Sequence, residues 1–263
     1  KIFDYINMMT YDLEGTGAAK HHTALYPSAA VNEGNSIQEA VEQWHTVHNV
    51  PYEKIVIGMA FYGKPALCNS LPNKQVLGNL KTSTSKNVRY SEMHDERFPK
   101  LATTSYKYYY EYDEESEAPY IYSYFSETSK TNYFITYDNE RSLIAKCEYA
   151  LEKKLGGVMI WELGEDNTNT LISAVSQGMG KKLDNHDYVI TGHQTFKVNQ
   201  TINVKVVDEI LLSSQDFAYY SSDESVAKIT DNSVTFIKEG EVIITCKNSN
   251  NKIYGKMIVT VTK

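Results

Sequence analysis

Residues 4–11 read DYINMMTY, a run that has almost no polar face. A strand with one solvated face alternates apolar and polar side chains, whereas a strand that is covered on both faces is apolar nearly throughout. The run therefore predicts a buried strand of a parallel sheet. Two more runs of this kind follow, at residues 55–61 (IVIGMAF) and 158–161 (VMIW).

Helical patterns lie between and after these strands. The segment that follows Ser36 repeats apolar residues at i, i+3, i+4 and i+7, and Ser36 with Glu39 forms a capping-box pattern. A second helix is predicted to begin after Asp138, its expected N-cap, and to end before Gly156. A third covers residues 171–179. Alternating strands and helices predict an α/β fold with a parallel sheet.

Two regions depart from this alternation. Between residues 65 and 118 the helical period disappears and Tyr, Ser, Thr and Lys dominate, which predicts an inserted antiparallel hairpin or a small α+β subdomain. From about residue 188 onward, short β-type runs separated by turn residues predict an all-β sandwich. With residues 183–187 as the linker, the predicted domains are 1–183 and 188–263.

Composition narrows the classes of function. A net charge of −7 over 263 residues argues against nucleic acid as a partner, and no apolar run approaches the ~20 residues of a membrane span. Cys68, Cys147 and Cys246 are too widely spaced for a compact zinc site or a disulfide framework. We therefore predict no metal site and no cofactor. The 21 tyrosines are the unusual feature, and they suit either strands or a surface that stacks on sugar rings.

The three predicted strands end in unusual residues: Tyr11-Asp12, Phe61-Tyr62 and Trp161-Glu162. In a parallel barrel, ligands bind at the carboxyl ends of the strands. Aromatic residues on three strand ends predict a cleft for a ring-shaped ligand such as a sugar, or alternatively side chains that close the barrel top. The two carboxylates Asp12 and Glu14 are also typical of a catalytic acid/base pair.

Five stretches carry a resemblance to a known family. They are DYINMMTYDLEG (4–15), HHTALYPS (21–28), VPYEKIVIGMAFYGK (50–64), APYIYSYF (118–125) and FITYDNERSLIAKCEYALEKKLGGVMIWELGED (134–166). In this order they resemble the C-terminal part of the catalytic domain of family 18 glycoside hydrolases, the chitinase family. The resemblance implies strands six to eight of a (β/α)8 TIM barrel, in which the insertion corresponds to the small α+β domain of many chitinases.

The resemblance also implies roles for residues at the strand ends. Tyr11 would hydrogen-bond the acetamide of the sugar, and Asp12 would accept hydrogen bonds at the same subsite. Met9 would pack under the N-acetyl group, Trp161 would form the floor beneath the pyranose, and Tyr62 would belong to the cleft wall. Glu14 is expected to be solvated rather than to act as an acid or base.

The general acid of the family is not on this chain. It is the terminal Glu of a D-x-x-D-x-D-x-E motif on the fourth strand, and no stretch of this sequence has that spacing. The reaction implied for the full-length protein is substrate-assisted retaining hydrolysis of β-1,4-linked N-acetylglucosamine polymers. We expect this chain to be a fragment that is inactive alone. The alternatives are a non-hydrolytic chitin-binding lectin, a surface adhesion protein and a peptidoglycan-directed member of the family.

The predicted sandwich has a resemblance of its own. Residues 219–246 (YYSSDESVAKITDNSVTFIKEGEVIITC) resemble a bacterial Ig-like module of group 2. This implies a secreted bacterial protein that is extracellular or on the cell surface, with a spacer as the default role of the module. The expected partners are chitin or an N-acetylglucosamine oligosaccharide, with the cell wall as a further candidate.

Overall fold

The computed structural model describes residues 2–14, 20–28, 35–68, 86–97, 108–124, 132–181, 183 and 186–263. The chain divides into two compact units. The first consists of Lys1–Asp138 and Tyr149–Thr168, and the second of Asn139–Glu148 and Asn169–Lys263.

The described part of the first unit contains two sheets. Its strands are β1 (Ile6–Met8), β2 (Ile55–Ala60), β3 (Tyr62–Cys68), β4 (Val88–Arg89), β5 (Tyr108–Asp113), β6 (Ala118–Tyr124), β7 (Asn132–Thr136) and β8 (Gly157–Trp161). The order β1-β2-β8 forms a three-stranded parallel sheet, and the order β4-β3-β7-β6-β5 forms a separate sheet whose neighbours are all antiparallel. The fold therefore mixes parallel and antiparallel sheets.

The central strand of the parallel sheet is β2, and each of its six residues is buried. Its run of Ile, Val, Gly, Met and Ala has no polar side chain, so burial of both faces leaves no side-chain donor or acceptor unsatisfied. The strands predicted at residues 55–61 and 158–161 are both present, as β2 and β8, and each differs from its predicted bounds by one residue.

Strand β1 is shorter than the predicted run of residues 4–11. After Met8 the chain turns, because the Thr10 N–H donates to the Met8 carbonyl at 2.9 Å. The Thr10 hydroxyl then takes over the pairing with β2: it donates to the Gly58 carbonyl at 2.9 Å and lies 2.8 Å from the Gly58 nitrogen, whose N–H donates to it. A side chain therefore replaces the backbone ladder for one residue and fixes the start of the loop that carries Tyr11 and Asp12.

The antiparallel sheet occupies the region in which the helical period disappears. Its strands extend from Tyr62 to Thr136, a wider range than the predicted insertion of residues 65–118, because β7 pairs between β3 and β6. The loop after β1 contacts the hairpin of β5 and β6. There His21, which is fully buried, lies 3.2 Å from the Asp113 carboxylate through Nε2.

Among the described residues, three helices have more than one turn: α1 (Ile37–Thr46), α2 (Glu140–Glu152) and α3 (Thr170–Gly178). Single turns lie at Tyr52–Lys54, Tyr90–Glu92, Met93–Arg97 and Leu163–Glu165. The predicted capping box is confirmed, since the Ser36 side chain accepts from the Glu39 N–H while the Glu39 carboxylate accepts from the Ser36 N–H. In the part of the chain that the structure describes, no helix has the length and apolar character needed to cross a membrane.

The N-cap predicted for the second helix is wrong by one residue. The Asn139 side chain, not that of Asp138, accepts the Ser142 N–H at 3.0 Å, and the Ser142 hydroxyl accepts the Asn139 N–H at 3.0 Å. This reciprocal pair satisfies the first turn of α2. Asp138 instead points back to the parallel sheet, where its carboxylate accepts the Ala60 N–H at 3.5 Å.

The second unit contains α3, the first part of α2 and two four-stranded sheets. Their strands are β9 (Tyr188–Val189), β10 (His193–Lys197), β11 (Thr201–Lys205), β12 (Phe217–Ser221), β13 (Ala227–Thr230), β14 (Ser233–Phe236), β15 (Gly240–Asn248) and β16 (Ile253–Thr262). The sheet orders are β10-β16-β15-β12 and β13-β14-β11-β9. Along β10 and β16, buried and exposed residues alternate as in strands that cover a core with one face. Phe196 and Phe236 stack in that core, with ring centroids 4.7 Å apart.

Buried polar contacts join the helices of this unit to its sheets. The Asn139 amide donates to Asp208 at 2.7 Å, and the Asp208 N–H donates to Glu140 at 3.2 Å. The Gln177 side chain forms two hydrogen bonds with the backbone of Val189, at 2.8 and 2.9 Å. The second compact unit therefore includes residues that lie upstream of the predicted linker at residues 183–187.

Candidate active site

Tyr11 lies at the carboxyl end of β1 with its ring against β2. It is 7% exposed, and its ring meets that of Tyr62 edge to face at 6.1 Å between centroids. The absence of a side chain at Gly58 makes this packing possible, because a Cβ there would lie 2.8 Å from Cε1 of Tyr11. The Tyr11 hydroxyl is buried and has no hydrogen-bond partner among the described residues. Burial and the neighbouring Asp12 carboxylate raise the pKa of Tyr11, so the hydroxyl remains a donor.

Asp12 turns out of the strand end at φ 63°, in the left-handed region that Asp tolerates better than most residues. Its Oδ1 accepts the Tyr62 hydroxyl at 2.6 Å and lies 2.9 Å from the Lys64 ammonium. His22 Nδ1 is 3.9 Å from the same oxygen. The imidazole of His22, the Tyr62 hydroxyl and the Lys64 ammonium hold the pKa of Asp12 well below its usual range, although partial burial opposes them. Asp12 is therefore an ionised acceptor.

Tyr62 and Lys64 reach Asp12 from β3, where alternate residues point to the same side of the strand. Tyr62 is buried, and its ring lies 5.2 Å from that of His22. Burial and the Asp12 carboxylate raise the pKa of Tyr62 far above its usual value. The Tyr62 hydroxyl thus donates permanently to Asp12 and holds that carboxylate in one orientation.

Glu14 is not free in solvent, contrary to the expectation from sequence. Its Oε1 lies 2.7 Å from the Lys64 ammonium, and its Oε2 is buried without a hydrogen-bond partner among the described residues. Burial disfavours the charged form of Lys64, but the hydrogen bonds to Glu14 and Asp12 outweigh that effect and raise the pKa of Lys64. One ammonium therefore bridges two carboxylates that come from the loop after β1.

Met9 and Trp161 expose apolar surface at the carboxyl ends of β1 and β8. Met9 is 72% exposed and Trp161, the last residue of β8, is 55% exposed. Trp161 is paired with Ala60 at the end of β2, and the peptide bond between Trp161 and Glu162 is cis. Large apolar side chains that are left exposed at strand ends are available to contact a ligand.

Asp12 and two neighbouring side chains have the ligand atoms and the spacing of a cation site. Ligand atoms of Asp12, Glu14 and His22 all lie within 4.8 Å of one another. However, the Lys64 ammonium already contacts both carboxylates and supplies their positive partner. The donor set is therefore occupied by the chain's own cation, and we assign no metal to it.

The ionised Asp12 predicts a pH dependence of stability. Because its pKa is lowered in the folded state from about 3.9 in the unfolded chain, it stabilises the fold above about pH 4, and this contribution is lost as the pH falls further. Replacing Asp12 by Asn should therefore lower the free energy of unfolding more at pH 7 than at pH 2, where part of the contribution of the carboxylate is already lost. Urea unfolding at both pH values measures the difference. The exposed Asp4→Asn serves as the control, and an equal effect of Asp12→Asn at both pH values would contradict the prediction.

A comparison with family profiles identifies the chain. The profile of glycosyl hydrolases family 18 matches residues 1–166, which is more than half of the sequence. The chain belongs to family 18. The matched range contains all the site residues described above, including Tyr11, Asp12, Tyr62 and Trp161.

Curated family members share sequence with this chain. It is 29% identical over 210 residues to chitinase B of Serratia marcescens, an alignment that covers 63% of this chain and 41% of that protein. It is 27% identical over 220 residues to chitinase 2 of Yersinia entomophaga, covering 79% of this chain and 34% of that protein. This chain thus spans about a third to two fifths of the length of these two relatives.

Solved structures have similar folds. A family 18 N-acetylglucosaminidase of Paenibacillus barengoltzii is 31% identical, with a TM-score of 0.54 over 67% of this chain and 49% of that chain. A cell-surface-expressed, multi-modular chitinase of a Paenibacillus species matches 98% of this chain and 33% of its own length, with a TM-score of 0.59. At 20% identity this second likeness shows the fold alone. These two likenesses support the prediction from sequence that the chain has a fold of the (β/α)8 barrel family.

The resemblance placed Met9, Tyr11, Asp12, Tyr62 and Trp161 at one site, and the structure sets all five at the ends of β1 and β2, at the start of β3 and at the end of β8. Sequence reasoning missed Thr10, His22 and Lys64. A signal for Lys64 was present, since Tyr62 and Lys64 are two residues apart in a strand and share a side.

Proposed function

We propose that these strand ends form the acetamide-binding side of a cleft for β-1,4-linked N-acetylglucosamine polymers in a chitinase-type hydrolase. The observation that carries the proposal is the Tyr11 hydroxyl, a buried donor without a partner among the described residues. Leaving such a group unpaired costs about 1–3 kcal/mol, so a site that keeps one is suited to a ligand that accepts its hydrogen bond. The carbonyl oxygen of an N-acetyl group is such an acceptor.

The neighbouring residues suit the rest of an N-acetylated sugar. The ionised Asp12 accepts hydrogen bonds from hydroxyl or amide groups, and the Trp161 indole offers a flat apolar surface of the kind that stacks on a pyranose. The exposed Met9 side chain provides a contact for the acetyl methyl group. Held in this way, the acetamide oxygen is oriented to attack the anomeric carbon of its own sugar, as substrate-assisted hydrolysis requires.

The general acid is proposed to come from sequence outside this chain. No D-x-x-D-x-D-x-E spacing occurs in the 263 residues, whereas the family resemblance requires it on the fourth strand. We propose that β1, β2 and β8 are the sixth, seventh and eighth strands of the barrel. That this chain covers 49% of the N-acetylglucosaminidase structure is consistent with a part of the barrel, and the family resemblance supplies the strand numbers. Because general acid catalysis contributes about 10²–10⁴-fold, this chain alone should not hydrolyse its substrate.

The two four-stranded sheets are proposed to be a bacterial Ig-like module that serves as a spacer. Support comes from the alternating burial of their strands and from the likeness of nearly the whole chain to a multi-modular fold. An extracellular or cell-surface location follows from that module type and from a polymeric substrate. The cell wall is then the expected surroundings of the protein.

The test compares the 263-residue chain with the intact protein that contains it, using a fluorogenic chitobioside for hydrolysis and calorimetry with N,N′,N″-triacetylchitotriose for binding. We expect hydrolysis by the intact protein and none by the chain alone. Hydrolysis by the isolated chain would overturn the assignment of the acid to outside sequence. Binding without hydrolysis by the intact protein would favour the lectin alternative, and no binding would overturn the substrate class.

A further inference from the structure

The bridge between Asp12, Lys64 and Glu14 goes beyond the residues that the resemblance assigns. Lys64 Nζ lies 2.9 Å from Asp12 Oδ1 and 2.7 Å from Glu14 Oε1, so the shorter contact is the one to Glu14. The side chains of Lys64 and Glu14 are only 22% and 23% exposed. An ion pair with this degree of burial is screened less by solvent than a surface pair.

Without a cation between them, the carboxylates of Asp12 and Glu14 would repel each other. The ligand atoms of Asp12 and Glu14 lie within 4.8 Å of each other, a distance at which like charges raise the pKa of one partner. Other groups also face Asp12, namely Tyr11, Tyr62 and His22. Among the groups described there, Lys64 alone is an ammonium in contact with both carboxylates.

We propose that Lys64 and Glu14 are positioning residues. Lys64 keeps Asp12 ionised and turned toward the Tyr62 hydroxyl. Glu14 holds the Lys64 ammonium in contact with Asp12. The proposal deepens the proposed function and rests on it, because Asp12 is the sugar-binding acceptor there. Glu14 touches no sugar in this scheme. It acts through Lys64, and Lys64 acts through Asp12.

The role of Glu14 is tested by the chemical reactivity of the Lys64 amine in the intact protein without ligand. Only the unprotonated amine reacts with an acylating reagent, and its pKa is raised while Glu14 is charged. Replacing Glu14 by Gln should therefore increase the labelling rate of Lys64, read by peptide mass spectrometry, by about three- to tenfold. An unchanged labelling rate would overturn the role of Glu14.

The chain offers a matched control for this experiment. Like Glu14, Glu42 contacts one lysine, with Lys153 Nζ at 2.8 Å, and in addition it accepts the Tyr52 hydroxyl at 2.8 Å. Glu42→Gln should increase the labelling of Lys153 and leave Lys64 unchanged, whereas Glu14→Gln should do the reverse. If both variants changed both lysines, the effect would be global loosening of the fold and the proposal would fail.

The role of Lys64 is tested by the titration of Asp12, followed by the ¹³C shift of its labelled carboxyl. In Lys64→Met the titration midpoint of Asp12 should rise by about one to two units, since Asp12 loses its ammonium partner and the nearby Glu14 carboxylate repels its charged form. Lys64→Arg should restore the low midpoint, and Glu14→Gln added to Lys64→Met should reverse part of the rise. A midpoint that is unchanged in Lys64→Met would overturn the role of Lys64.

Sugar binding supplies the link to function. In Lys64→Met, the fall in affinity for triacetylchitotriose at acidic pH should begin at a higher pH than in the parent protein, by the same interval as the rise in the Asp12 titration midpoint. An unchanged pH profile in the variant would overturn the proposal. The labelling and titration experiments contain no sugar, so a failure of the proposed function would leave their expected results in place and be recognised separately.

Discussion

Replacing Tyr11 by Phe is expected to lower the affinity for triacetylchitotriose by about ten- to a hundredfold without lowering stability. The hydroxyl makes no hydrogen bond to the described residues, so its removal breaks none of their hydrogen bonds. A bound acetamide would lose its donor in a site shielded from water, which costs about 1–3 kcal/mol. Calorimetry and urea unfolding of the intact protein measure the two quantities. In the hydrolysis assay, loss of a preorganised donor should lower kcat by about 10²–10³.

Tyr149 provides the control for this variant. Its hydroxyl is likewise buried without a partner among the described residues, but it lies on α2, and its ring packs against that of Tyr26 at 5.9 Å. Tyr149→Phe should leave affinity and kcat unchanged and should affect stability as little as Tyr11→Phe does. A loss of stability in Tyr11→Phe without loss of affinity would show that the hydroxyl serves the fold instead of a ligand.

Replacing Gly58 by Ala is expected to lower the free energy of unfolding by about 1–3 kcal/mol and to weaken sugar binding at the same time. The added Cβ would lie 2.8 Å from the Met8 carbonyl oxygen, 2.8 Å from Tyr11 Cε1 and 3.1 Å from Met159 Cε. The carbonyl belongs to the paired strand β1 and cannot move away without disturbing the sheet, so the overpacking shifts backbone as well as side chains. Urea unfolding and calorimetry measure the two losses.

Gly164 is the matched control, because a Cβ added there would meet nothing within 4 Å. Gly164→Ala should change stability by no more than about 0.5 kcal/mol, which is ordinary for a surface position. If Gly58→Ala were as mild as Gly164→Ala, the close packing of Tyr11 on β2 would not be what determines its position.

The elements that the sequence predicted well are those set by local chemistry. The Ser36–Glu39 capping box and the apolar run of β2 depend on neighbours within a few residues, and both are present in the structure. The cap of α2 was assigned to the wrong neighbour, since Asp138 and Asn139 are both good caps by residue type and only the fold gives Asp138 another partner at Ala60. Local preference alone could not decide between them.

The contacts within the site were harder to predict because they join distant parts of the chain. Tyr62 and Lys64 reach Asp12 and Glu14 across about 50 residues, and Thr10 reaches Gly58 across 48. The family resemblance placed Tyr11, Asp12 and Trp161 at one site, but it gave no information about which partner each charge would find. Glu14 was therefore expected in solvent, whereas the structure pairs it with Lys64.

The buried polar contacts between the start of α2 and the sheets of the second unit determine what a protease cut between them would do. Glu140 is 1% exposed and takes its partners from Lys205, at 3.5 Å, and from the backbone of Asp208. A protease cut at residues 183–187 would therefore not release an independent module, because the start of α2 and the sheets bury charges against each other. Separating them would leave those charges without partners, which costs about 3–5 kcal/mol. The nicked halves should stay together, as the two pieces of a split protein do.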